Sequence, residues 1–197
     1  MSATLQDQDT AIKDWFRQLF QTYRQGLNGH SDHPLAQFRL AAYDQLDKAA
    51  FPNRKDEDWK YSGAPIARML ETHFQEAATT TLDAEAINAF RIPGLEAATF
   101  VFINGVLQES LSNFDQLPAG TTVQTVAMAM EDNDKRNWME SQVAHAGGTA
   151  QNTFLPLNRA FAQNGLYIEQ TANTQADKPV YCLYLSTATE QAFQRHP

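Results

Sequence analysis

The hydrophobic period of this 197-residue chain changes near Gly94, and that change restricts the fold to a mixed type. Before it, apolar residues recur at helical spacing. Ile12, Phe16, Leu19, Phe20, Tyr23 and Leu27 lie on one face of a helix predicted over residues 5–27, which Gly26, Asn28 and Gly29 end. A second helix starts at Ser31-Asp32, with Pro34 in its first turn and Leu35, Phe38, Ala42, Leu46 and Ala49 as its apolar stripe. It stops before Pro52, because a proline disfavours the helical region at the residue ahead of it, Phe51. Pro65 opens a short helix through Ile66, Met69, Leu70 and Phe74; residues 75–82 read as a polar loop. Asp83 caps a further short helix through Phe90, stopped by Pro93-Gly94.

Beyond Gly94 the runs become strand-like. Phe100 to Ile103 and Val106-Leu107 flank Asn104-Gly105, the strongest short hairpin signal, because both central residues of such a turn need positive φ. Val123 to Met130 reads as a strand, and residues 135–146 and 151–163 as helices, with Gly165 as the positive-φ cap of the latter. Leu166 to Gln170 and Val180 to Leu185 read as strands joined by a polar loop. The expected fold class is α+β. A helical region, 1–95, precedes a mixed region, 96–197, of strands with two interspersed helices.

Charge and cysteine content narrow the function classes. The net charge is −8, and lysines and arginines are scattered, so no basic stripe is on offer to nucleic acid. No run approaches the ~20 apolar residues of a membrane span, and the opening MSATLQDQDT lacks the basic and apolar regions of a secretory signal. The expectation is a cytoplasmic protein with neither membrane nor nucleic acid as partner. The single cysteine, Cys182, excludes an intrachain disulfide or a four-cysteine cluster site within one copy; in PVYCLYL it reads as a small buried apolar residue.

The common catalytic signatures are missing: no phosphate loop, GxGxxG, HExxH or GxSxG. Gly147-Gly148-Thr149 lacks the lysine of a phosphate loop and reads as a connection. His30-Ser31-Asp32-His33 holds three potential zinc or iron ligands, but it coincides with a helix start, where Ser or Asp caps backbone amides. Asp132-Asn133-Asp134 opens like a calcium loop, yet Lys135-Arg136 stands where ligands and the turn glycine belong. Glu57 and Asp58 are adjacent carboxylates that rarely face one substrate, His73 and His145 are lone histidines, and Trp59 and Tyr61 read as packing anchors. No residue is assigned a catalytic, cofactor-binding or metal-binding role.

Two segments carry a family resemblance. The first follows a helix and consists of Pro52, Arg54, Lys55, Glu57, Trp59, Lys60 and Tyr61. The second comprises Asn152, Phe154, Leu157-Asn158, Ala160-Phe161 and Gly165, then an apolar strand, a polar loop and Lys178-Pro179-Val180. With the hairpin strand Val101-Phe102-Ile103-Asn104-Gly105 between them, these markers resemble the SufB/SufD family of iron–sulfur cluster assembly proteins over residues 50–197. The long helical N-terminus and the absence of a cluster-type cysteine motif favour the SufD-type branch. Pro52, Arg54, Glu57, Trp59, Lys60, Tyr61, Asn158 and Gly165 then stand as structural family markers.

The resemblance implies an N-terminal helical region, a central right-handed β-helix and a C-terminal helical region that docks the SufC ATPase. The β-helix pairs SufD with SufB, and His196-Pro197 falls where that solenoid begins. What is implied is a truncated N-terminal portion of a non-enzymatic scaffold subunit. It has no cofactor of its own and self-associates weakly through exposed strand edges. Two other readings stand beside it. One is a small-molecule enzyme or binding protein with an irregular site around His145 or His30/His33; the other is a helical protein-interaction module over residues 5–50.

Overall fold

The computed structural model describes residues 5–26, 32–48, 51–52, 56–63, 66, 69–70, 75–76, 82–146, 154–162, 165–187 and 192–193. Among them the elements run α1 (Leu5–Gly26), α2 (Pro34–Lys48), a 3-10 turn (Glu57–Trp59), β1 (Gln75–Glu76), α3 (Ala84–Asn88), β2 (Ala98–Ile103), β3 (Val106–Leu107), a second 3-10 turn (Glu109–Leu111), β4 (Thr121–Thr125), α4 (Val126–Ala129), α5 (Asn133–Ala146), α6 (Phe154–Ala160), β5 (Leu166–Gln170), β6 (Val180–Leu185) and β7 (Ala192–Phe193). The class is α+β, helices first. Predicted positions at Leu27, His30, Ser31, Ala49, Arg54, Lys55, Pro65, His73, Phe74, Gly147–Thr149, Asn152, His196 and Pro197 lie outside the described residues.

The chain forms two compact units, and they divide it differently from the boundary drawn near Gly94. Unit 1 is Met1–Gln75 with Asn133–Phe161; unit 2 is Glu76–Asp132 with Ala162–Pro197. The helices α5 and α6 therefore belong with the N-terminal helices, although 60 residues or so of chain separate them in sequence.

In unit 1, the α1 stripe does what its spacing predicts. Ile12, Phe16, Phe20 and Tyr23 are buried, as are Leu35, Ala42 and Leu46 of α2. Full burial of side chains of this size is worth about 1.5–3 kcal/mol each. Arg39, which the stripe pattern did not place inside, is buried with its guanidinium carbon 5.4 Å from the Tyr23 ring centroid. At the start of α2 a residue not singled out as a cap, His33, satisfies backbone donors, and Ser31 lies outside the described residues. The Leu35 N–H donates to His33 Nδ1 at 3.1 Å, and the Ala36 N–H to the His33 carbonyl at 2.8 Å.

In unit 2, β2 is the centre of a three-stranded sheet, antiparallel to β3 and parallel to β6. All six of its residues are buried, which explains the unbroken apolar run from Phe100 to Ile103. Val101 and Ile103 pack with Ile87, Leu183 and Leu185; Ala98, Phe100 and Phe102 pack with Val123 of the second sheet, β4–β5. Asn104 (φ 50) and Gly105 (φ 80) make the predicted turn, with Ile103 opposite Val106. β3 ends after two residues, and the next segment satisfies the rest of that edge. The Gln108 N–H donates to the Val101 carbonyl (2.8 Å), the Val101 N–H to Ser112 Oγ (3.0 Å), and the Asn113 N–H to the Thr99 carbonyl (2.8 Å).

Two local expectations are corrected. The strand expected over Val123–Met130 ends at Thr125, whose hydroxyl accepts from the Met128 N–H and starts α4. The Gly165 carbonyl accepts from the Val126 N–H at 2.8 Å, which ties the start of α4 to the residue before β5. The stretch 75–82 contains the short strand β1 where a loop was expected. Asp83, by contrast, caps α3 as predicted, accepting from the Ala86 N–H at 2.7 Å.

Candidate functional site: an aromatic knot joining the two signature segments

The two segments that carry the resemblance meet inside unit 1. Phe51 follows α2 and is buried; its ring stacks on Phe16 of α1 at 5.5 Å and meets Phe154 of α6 edge-on at 6.3 Å. Trp59, at the end of the first 3-10 turn, meets Phe154 edge-on at 5.7 Å. Phe154 is thus shared by Phe51 and Trp59. Edge-on and offset pairs of this kind add about 0.5–1.5 kcal/mol beyond their burial.

Phe161, one residue past α6, completes the knot. Its ring lies 6.2 Å from Phe16, 5.7 Å from Phe20 and 5.9 Å from Tyr23. Phe20 in turn stacks on Tyr43 of α2 at 4.2 Å, nearly parallel. A polar clasp fixes the entrance to the first segment. The Phe51 N–H donates to Asp9 Oδ1 at 2.9 Å, while Asp9 Oδ2 pairs with Lys13 at 3.1 Å. A charge-assisted bond from one end of α1 to the backbone beyond α2 thus sets where Pro52, itself buried, enters the knot. Pro156 is buried in the first turn of α6, where the missing N–H leaves no helical bond unmade.

The signature residues divide sharply by environment. Pro52 is buried and Trp59 half-buried, whereas Glu57, Lys60, Tyr61 and Asn158 are exposed. Tyr61 is not the packing anchor the sequence suggested: it is 89% exposed, with Lys60 Nζ 5.6 Å from its ring centroid. Gly165 lies in unit 2, away from this group in the chain's division, and Arg54 is outside the described residues. Asp9 was not singled out from sequence, and no local signal marks it, because its partner is 42 positions away.

The arrangement is one of packing. Among the described residues no set of three or more His, Cys, Asp or Glu side chains is gathered as a metal-binding group. His33 uses its Nδ1 in the helix cap. In unit 2, Cys182 is half-buried in β6, and burial pushes its thiol up from the ordinary range, which favours the protonated form. Among the described residues no helix is long and apolar enough to cross a membrane.

The residues that form the knot and the β2 hairpin both fall inside a family match. The family model described as SufBD protein N-terminal region matches residues 10–182, and the chain belongs to that family. It is similar to an iron–sulfur cluster assembly SufBD family protein of Synechocystis sp., at 26% identity over 162 residues. That alignment takes in 81% of this chain and 34% of the relative, so the chain spans about a third of that protein's length.

Proposed function

We propose that this chain serves as the N-terminal region of a SufD-type scaffold subunit in iron–sulfur cluster assembly, acting with SufB and the SufC ATPase in the cytoplasm. It contributes shape and no chemistry of its own, and the cluster is handled by the whole assembly. In this reading unit 2 leads into the right-handed β-helix of the longer subunit. The observation that carries the proposal is the knot: the two signature segments, nearly 100 residues apart, close on each other through Phe154, inside a family match spanning residues 10–182. The similarity to a protein named for iron–sulfur cluster assembly supplies the process. The preference for the SufD-type branch rests on the long N-terminal helices and the single cysteine.

The test is co-purification with tagged SufB and SufC. A subunit that carries this region within its longer chain is expected to co-purify with both. The 197-residue chain by itself is expected to leave SufC unbound, to hydrolyse no ATP, and to show weak self-association by light scattering. A strictly monomeric chain that captures the ATPase, or one that hydrolyses ATP, would overturn the proposal.

A further inference from the structure

The hairpin turn of unit 2 carries chemistry that the scaffold reading does not use. In an Asn-Gly pair the glycine nitrogen is unhindered by a side chain and can attack the asparagine amide carbon. A bond forms between Gly105 N and Asn104 Cγ, the Cγ–Nδ2 bond breaks, and ammonia leaves with the proton that Gly105 N gives up. The resulting succinimide takes up one water at either carbonyl and becomes aspartate or isoaspartate at position 104. Water is the only co-reactant, and nothing is oxidised or reduced.

In the folded chain that attack is blocked by a clasp. Asn104 is 7% exposed. Its Nδ2 donates to Thr187 Oγ1 at 2.8 Å, and its Oδ1 accepts from the Thr187 N–H at 2.9 Å. Its own N–H donates to the Leu185 carbonyl at 2.9 Å. Both ends of the amide are therefore held by the residue two positions beyond β6, and the positive φ of Asn104 and Gly105 fixes the turn beneath. Moving Cγ onto Gly105 N requires both bonds to Thr187 to break.

We propose that Asn104-Gly105 is a latent deamidation site gated by Thr187, closed while the end of β6 is docked and open when Leu185–Thr187 detaches. The conversion runs one way. Aspartate at 104 has no side-chain N–H to return to Thr187 Oγ1, so that bond is remade only if the hydroxyl turns round and donates to the carboxylate. Isoaspartate inserts a main-chain methylene into a two-residue turn whose register sets Ile103 opposite Val106. Neither product regains the lost ammonia and returns to asparagine, so the site records how often the end of β6 has opened.

The chain supplies its own references, since Asn28-Gly29 and Asn164-Gly165 are also Asn-Gly pairs. Aged samples of the 197-residue chain would be digested and mapped by mass spectrometry, with isoaspartate confirmed by enzymatic methylation. In urea the three sites are expected to convert at similar rates; under native conditions Asn104 is expected to convert far more slowly than it does in urea. Thr187→Val is expected to speed conversion at Asn104 alone by about 5-fold, the effect of one lost neutral hydrogen bond on the opening equilibrium. Thr187→Ser, which keeps the hydroxyl, is expected to restore protection. Native conversion at Asn104 as fast as in urea would overturn the proposal. So would an unchanged ratio in Thr187→Val, or a rise at all three sites together.

Discussion

Replacing Phe161 with alanine tests whether unit 1 is held by the knot. The ring is 6% exposed and touches three aromatic side chains of α1, so nothing nearby can follow it inward without moving the helix. Phe→Ala in a core costs about 3–5 kcal/mol, and three aromatic partners place this site in the upper half of that range. The assay is built into the sequence. All three tryptophans, Trp15, Trp59 and Trp138, lie in unit 1, so tryptophan emission in a urea titration follows that unit by itself. With a slope of roughly 1–3 kcal/mol/M, a loss of about 4 kcal/mol moves the midpoint down by ~2 M or abolishes the folded baseline. Trp59→Ala removes a half-buried ring with one aromatic partner in the knot, and is expected to cost about half as much. A Phe161→Ala midpoint equal to the parent's, or a smaller loss than that of Trp59→Ala, would refute the reasoning.

Gly120→Ala is expected to cost more than Gly94→Ala in a thermal melt. Both residues have positive φ, a strain of about 1 kcal/mol, but a Cβ at Gly120 would sit 2.5 Å from Thr174 Oγ1, whereas at Gly94 nothing lies within 4 Å. The Ala119 N–H donates to Asp177 Oδ1 at 2.8 Å, and that bond holds the carboxyl below its usual value. Its contribution is therefore present above about pH 4 and lost as pH falls through the lowered pKa; Asp177→Asn should flatten the acid limb of the stability curve, and an unchanged limb would contradict this. Cys182 should alkylate with iodoacetamide far more slowly in the native chain than in urea, because burial raises its thiol pKa; equal rates would rule that out. Tyr61→Ala should leave the urea midpoint within about 0.5 kcal/mol of the parent, as befits a side chain 89% exposed, and a large loss would restore it as an anchor.

What the sequence made legible was local. The α1 stripe, the Asp83 cap and the Asn104-Gly105 turn each depend on residues within a few positions of one another, so spacing and turn chemistry reveal them. The misread positions are those where a distant partner decides. Tyr61 looks like Trp59 in composition, yet only Trp59 finds Phe154, which arrives from α6. Asn104 was read for its φ alone, but its amide is also used by Thr187, 83 positions on. Val126–Met130 was read as more of the strand that ends at Thr125, and there the decisive signal is local: the Thr125 hydroxyl caps a helix. At α2 the sequence drew attention to Ser31 and Asp32, the common capping types, and the ring of His33, read only as a potential metal ligand, accepts from the Leu35 N–H.

The order of chain passage explains why no single cut near Gly94 can separate the units. β2 and β6 are parallel neighbours, and parallel neighbours require a long crossover. Here the path between them leaves unit 2 after Asp132, contributes α5 and α6 to unit 1, and returns at Ala162. The crossover that closes one sheet is the same segment that delivers Phe154, Ala160 and Phe161 to the other core. A fragment of residues 1–95 would keep α1 and α2 but leave Phe16, Phe20, Tyr23 and Phe51 without the rings that cover them. A fragment of 96–197 would keep β2 and β6, yet lose Ile87, the buried α3 residue that packs under Val101 and Ile103. Each unit therefore draws its core from both sides of the point where the hydrophobic period changes.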